Sequence, residues 1–163
     1  MKYQHRNVAI ATTYIWIGFV CAISFMEAWL KFKAPGITTK LGLGVGQLVF
    51  SALNKVEIVC ALIIAVTIII TKIRNSKYLP SFSIYYVFVI LIIQSVWLLP
   101  YLDTRANQII KDIKVQDNGL HLVFVILEII KVVSLFLFGL KSFRQSFKTS
   151  DNYTLNLIDD ETC

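Results

Sequence analysis

The sequence predicts an all-α membrane protein, a bundle of four transmembrane helices. Three observations predict it. Hydrophobic residues make up 56% of the 163-residue chain and charged residues only 16%, against about 25% charged in an ordinary soluble domain. The apolar residues are gathered into long runs instead of being spread at helical or strand period. The basic residues sit mainly at the ends of those runs, where a lipid bilayer has its headgroups. The net charge of +6 is thereby explained without nucleic acid. No basic face with interleaved aromatics is present, so nucleic acid is excluded as a partner.

The first span is Val8 to Leu30. At 1.5 Å per residue it reaches roughly 34 Å, enough to cross a hydrocarbon core of about 30 Å. Lys2 and Arg6 precede it as in a signal peptide, but the run is long for an h-region and no A-x-A site follows. It reads as an uncleaved helix, broken by Ala34-Pro35-Gly36. The second span is expected over residues 45–71. Its strongly apolar part, Ile58 to Ile70, is too short to cross alone, so the helix carries Asn54, Lys55 and Glu57 with it. Gly42 and Gly46 form a G-x-x-x-G, a close-packing pattern in membrane helices. It is not a phosphate loop, because no G-K-[ST] accompanies it.

Lys72, Arg74 and Lys77 end the second helix. The third is expected over 82–99, stopped by Pro100, and the fourth over 120–140. Residues 106–115 could form a short surface helix. Residues 1–145 then make one transmembrane domain, and 146–163 read as a flexible polar tail. The tail contains the sequon Asn152-Tyr153-Thr154, a pattern common by chance. Cys21, Cys60 and Cys163 have no metal-ligand spacing, and their odd number argues against a disulfide framework.

Ionisable residues in lipid are expensive, about 2.5–3.5 kcal/mol each at a helix centre, and are functional-site candidates for that reason. Placed on four spans, they gather toward one half of the membrane, the non-cytoplasmic one. Glu27 and Lys31 lie at that end of the first helix, with Asn54 and Glu57 in that half of the second. Gln94 approaches that end of the third, with Asp103 and Arg105 just beyond. His121 opens the fourth helix and Glu128 follows. Glu27 and Lys31 are spaced i, i+4 for an ion pair. His121 and Glu128 are spaced i, i+7 and share a face. Gln47, Ser51, Asn54, Ala61 and Ala65 make a small, polar stripe beside Glu57, of the kind that faces other helices. Lys131 is a plausible partner for Glu128. The candidate ligand- or ion-binding residues are therefore Glu27, Asn54, Glu57, Asp103, Arg105, His121, Glu128 and Lys131, expected to line a common polar space.

The residues name no cofactor, and no catalytic set is evident. Carboxylates and a histidine could hold a divalent cation, but neither Glu-x-x-His nor H-E-x-x-H occurs. The leading expectation is binding or passage of a small ion, a proton or a polar ligand. A structural or assembly subunit is the second reading, and a membrane-embedded metal-dependent enzyme the third. The chain is small for a complete transporter and shows no internal repeat, which favours a homo-oligomer or a larger membrane complex.

Four segments together carry a resemblance: Glu27-Ala-Trp-Leu-Lys31-Phe-Lys-Ala-Pro35, Phe50-x-x-Leu53-Asn54-Lys55-x-Glu57, Leu99-Pro100-x-Leu-Asp103-x-Arg105-Ala, and His121-x6-Glu128-x-x-Lys131. Over roughly residues 8 to 140 the chain resembles small bacterial integral membrane proteins of four helices, a family of unknown function. The resemblance implies the fold and a bacterial inner-membrane location, and it implies no activity.

Orientation follows from the basic residues. With four spans both termini share a side, and that side holds Lys2, Arg6, Lys72, Arg74, Lys77, Lys141, Arg144 and Lys148, against Lys31, Lys33, Lys40, Arg105, Lys111 and Lys114 opposite. The excess predicts cytoplasmic termini. A cysteine placed at Ser150 should then resist impermeant thiol reagents in intact cells and react after lysis. Labelling from outside would invert the orientation.

Overall fold

A computed structural model describes the backbone of residues 4–74, 81–113 and 119–161, and the side chains of residues 7–74, 81–113 and 119–144. Lys2, Arg6, Lys77, Lys114 and Lys148, which enter the charge count, and the side chains of the sequon lie outside the described side chains.

Four helices are long and apolar enough to cross a membrane: α1, Asn7–Lys33; α2, Thr39–Arg74; α3, Phe82–Ile110; and α4, whose apolar part is Leu120–Arg144. There is no strand among the described residues. The helices pack in a ring, with α1 against α2 and α4, and α3 against α4 by its first half and α2 by its second. One end of the bundle carries the α1–α2 and α3–α4 connections, and will be called the loop end. The other carries the described terminal residues and the α2–α3 connection.

Three helix boundaries differ from the sequence expectation. Helix α2 starts at Thr39, before its glycines, so Gly42 and Gly46 lie inside it. Helix α3 does not stop at Pro100 but runs on to Ile110, taking in the first half of the segment expected to form a separate surface helix. A proline inside a helix lacks an N–H and collides with the carbonyl four residues back, here Val96. Val96 lies within a widened π turn, Gln94–Leu98, which gives the ring room. Helix α4 continues to Glu161, so the polar C-terminal stretch is described as helix. A second π turn, Cys21–Glu27, interrupts α1, followed by a 3-10 turn at Lys31–Lys33.

The apolar core lies mostly toward the terminal end. Ile64, Ile84, Val87, Leu135 and Phe138 are buried there in one cluster with Trp16. Most other large apolar side chains, such as Leu62, Ile92 and Val133, are exposed on the outside of the bundle. That distribution suits a protein whose surroundings are lipid.

The glycine pair does pack closely, against α1. A Cβ at Gly42 would overlap the Phe32 ring, and one at Gly46 would lie 2.8 Å from Lys31 Nζ. Gly44 faces open space, with nothing within 4 Å. Gly42→Ala should therefore lower stability by about 1–3 kcal/mol through overpacking, and Gly44→Ala should not. Thermal unfolding of the two variants in detergent checks this. Equal midpoints would mean that Phe32 swings aside at no cost.

Candidate functional site: a buried lysine–glutamate network below a vestibule

Near the middle of all four helices lies a closed polar network. Helix α4 supplies Glu128 and Lys131 one turn apart, at the i, i+3 spacing that puts side chains on one face. Helix α2 supplies Glu57, α3 supplies Gln94 from its π turn, and α1 supplies Trp16. Lys131 and Glu128 are 0% exposed, Trp16 0%, and Glu57 and Gln94 3%, so water does not screen these charges.

Lys131 is the hub. Its Nζ lies 2.5 Å from Glu57 Oε1. It donates to Glu128 Oε1 at 2.8 Å and to Gln94 Oε1 at 2.8 Å. An ammonium has three N–H groups, and each has an acceptor on a different residue. The Gln94 amide donates to Glu128 Oε1 at 3.0 Å, and the Trp16 indole donates to Glu57 Oε1 at 2.9 Å. Glu128 Oε2 is buried and has no hydrogen-bond partner among the described residues. The network therefore sets two carboxylates against one ammonium.

Two cavities lie toward the loop end. The larger, the vestibule, has a volume of about 310 Å³. Its apolar wall includes Phe32, Phe50, Leu99 and Phe124, and its polar groups are Lys31, Gln47, Asp103, Arg105 and His121. The smaller, of about 10 Å³, lies deeper, and its polar lining is Asn54, Glu57 and Gln94. Phe50, Leu99 and Phe124 line both, so one layer of side chains divides them.

The expected cluster is thus two places. Glu57, Glu128 and Lys131 come together, and the Glu128–Lys131 pairing holds. Asn54 sits beside them on the inner cavity and accepts from Ser95 Oγ at 2.6 Å. Asp103, Arg105 and His121 belong to the vestibule. Glu27 pairs with Lys31 at 3.3 Å, as its spacing predicts, and Lys31 reaches the vestibule wall. His121 and Glu128 share a face of α4, but seven residues separate them by roughly 10 Å along the axis, which is why they do not share a cavity. The network also lies near mid-helix, deeper than one half of the membrane.

Sequence reasoning missed Trp16. A tryptophan in an apolar span reads as one more hydrophobic residue, and its partner is 41 positions away. The available signal was its distance from either helix end, since membrane tryptophans favour the interfaces. Gln94 was placed at depth but not in the site. Its own amide, with both donor and acceptor, was the cue. No group of three or more His, Cys, Asp or Glu side chains arranged to hold a metal occurs among the described residues.

The hub position sets an order of costs. Lys131→Met leaves two buried carboxylates without their counter-ion, and should cost about 3–5 kcal/mol. Trp16→Phe removes one bond to a charged acceptor that keeps Lys131, and should cost about 1.5–3 kcal/mol. Unfolding in detergent measures both, and a larger loss for Trp16→Phe would move the hub elsewhere.

Comparison with known proteins adds no assignment: no family model, no curated protein and no solved structure matches this chain.

Proposed function

We propose that this protein binds a proton or a small monovalent cation at the Glu57–Lys131–Glu128 network, within a bilayer and with cytoplasmic termini. One observation carries the reading: two buried carboxylates share a single ammonium, and Glu128 Oε2 has no donor among the described residues. An unbalanced charge at this depth is costly. A proton or a small cation on the open carboxylate oxygen would balance it, and gaining or losing that ion would change the net charge of the core. The polar inner cavity against Glu57 gives the ion a place to arrive.

A purely structural network is the second reading, favoured by the complete satisfaction of Lys131. The two readings part at Glu128→Gln. If the network holds an extra proton or cation, this variant removes the excess negative charge. It should keep the wild-type unfolding midpoint, while ion uptake into proteoliposomes falls to the level of empty vesicles. If the network only braces the bundle, the same variant breaks a buried ion pair and should lose about 3–5 kcal/mol. Glu57→Gln, which faces the inner cavity, should likewise abolish uptake. Unimpaired uptake by both variants would end the proposal. Assembly into a homo-oligomer or larger complex is part of the same proposal, and cross-linking in membranes tests it.

A further inference from the structure

We infer that the vestibule is the water entrance to the buried network, and that the Phe50–Phe124 pair is its gate. The inference rests on the network as an ion-binding site, and it adds the route and the element that controls it.

Three features of the loop end support it. First, the vestibule and the inner cavity share Phe50, Leu99 and Phe124 in their walls. Second, Phe50 and Phe124 meet edge to face, with centroids 5.6 Å apart and planes at 82°. They come from α2 and α4, the two helices that carry the acidic residues of the network. Such a contact is weak compared with a buried ion pair, and aromatic rings rotate without moving backbone. A small side-chain rearrangement would therefore join the cavities. Third, the inner cavity of about 10 Å³ is at the lower limit for one water, which needs about 10–15 Å³ and two to four polar partners. Asn54, Glu57 and Gln94 supply those partners.

The opposite direction is mostly apolar. Between the network and the terminal end lie Ile64, Ile84, Val87, Leu135 and Phe138, all buried and apolar. The buried threonines on that side, Thr13 and Thr67, spend their hydroxyl protons on backbone carbonyls of their own helices, so that side offers a chain of waters few partners. Water therefore reaches Glu57 from the loop end. A proton taking this route leaves a vestibule water, is accepted by the inner water, and passes from it to the Glu57 carboxylate. One O–H bond breaks and one forms at each transfer, and no other reactant is needed.

The test reads access and not flux, so it stands apart from the ion-binding proposal. The Trp16 indole N–H is bonded to Glu57 Oε1 inside the network, and its exchange with deuterium oxide can be followed by NMR on indole-labelled protein in detergent. Phe124→Ala should speed that exchange about tenfold, the factor expected when an aromatic contact closing a path is lost. Phe124→Leu, which keeps most of the volume, should give a smaller increase and guards against a folding defect in the alanine variant. Phe138→Ala, on the terminal side, should leave the rate within about twofold, since it opens space that no water path adjoins. Equal acceleration by Phe124→Ala and Phe138→Ala would show general loosening and overturn the gate. So would an unchanged rate in both Phe124 variants. A gated exchange together with normal ion uptake by both Glu128→Gln and Glu57→Gln would instead retain the entrance and remove the ion-binding proposal.

Discussion

A single ammonium group organises this bundle. Lys131 Nζ meets acceptors on Glu57, Glu128 and Gln94, and Trp16 is tied in through Glu57. Each of the four helices therefore has a side chain whose partner is on another helix or on the same hub. In lipid, helices gain little from burying apolar surface against one another, because the tails are as apolar as the side chains. A fully desolvated polar network fixes their rotation and depth in a way that leucine and isoleucine cannot. Rotating α4 by one residue would turn Lys131 and Glu128 away together and strand Glu57 on α2.

The rest of the architecture can be understood as making room for that contact. The π turn at Gln94–Leu98 places Gln94 in the network and lets α3 pass through Pro100 toward the loop end. The glycines of α2 admit Lys31 and Phe32 of α1, and with them the vestibule wall. The dry cluster of Ile64, Leu135 and Phe138 closes the other side. The molecule has a polar end with a cavity and a mostly apolar one, with the charges at the boundary between them.

Much of this was legible in the sequence, for physical reasons that differ from residue to residue. The four spans follow from hydropathy alone. The Glu27–Lys31 and Glu128–Lys131 pairs follow from helical spacing, which is local and needs no knowledge of packing. Glu57 was marked by its cost in lipid. The contacts that cross between helices were not legible. The Trp16–Glu57 bond joins positions 41 apart, and nothing local says which helices are neighbours. A shared helical face led His121 to be grouped with Glu128, although axial distance separates them into different compartments. Pro100 reads as a helix end because the compensating π turn has no sequence signature of its own.

The position of the charges along the chain bears on how the protein enters its membrane. Glu128 and Lys131 are on the same helix, one turn apart, and their ion pair forms within α4 alone. That helix can leave the translocation machinery already largely neutralised. Helix α2 has no such internal partner for Glu57, since Lys55 is exposed on another face. What α2 finds on arrival is α1, synthesised before it, with the Trp16 indole in position to donate. Lys131 comes last. In order of synthesis, the Trp16 indole is thus the first partner within reach of Glu57, and the counter-ion on the final helix completes the core.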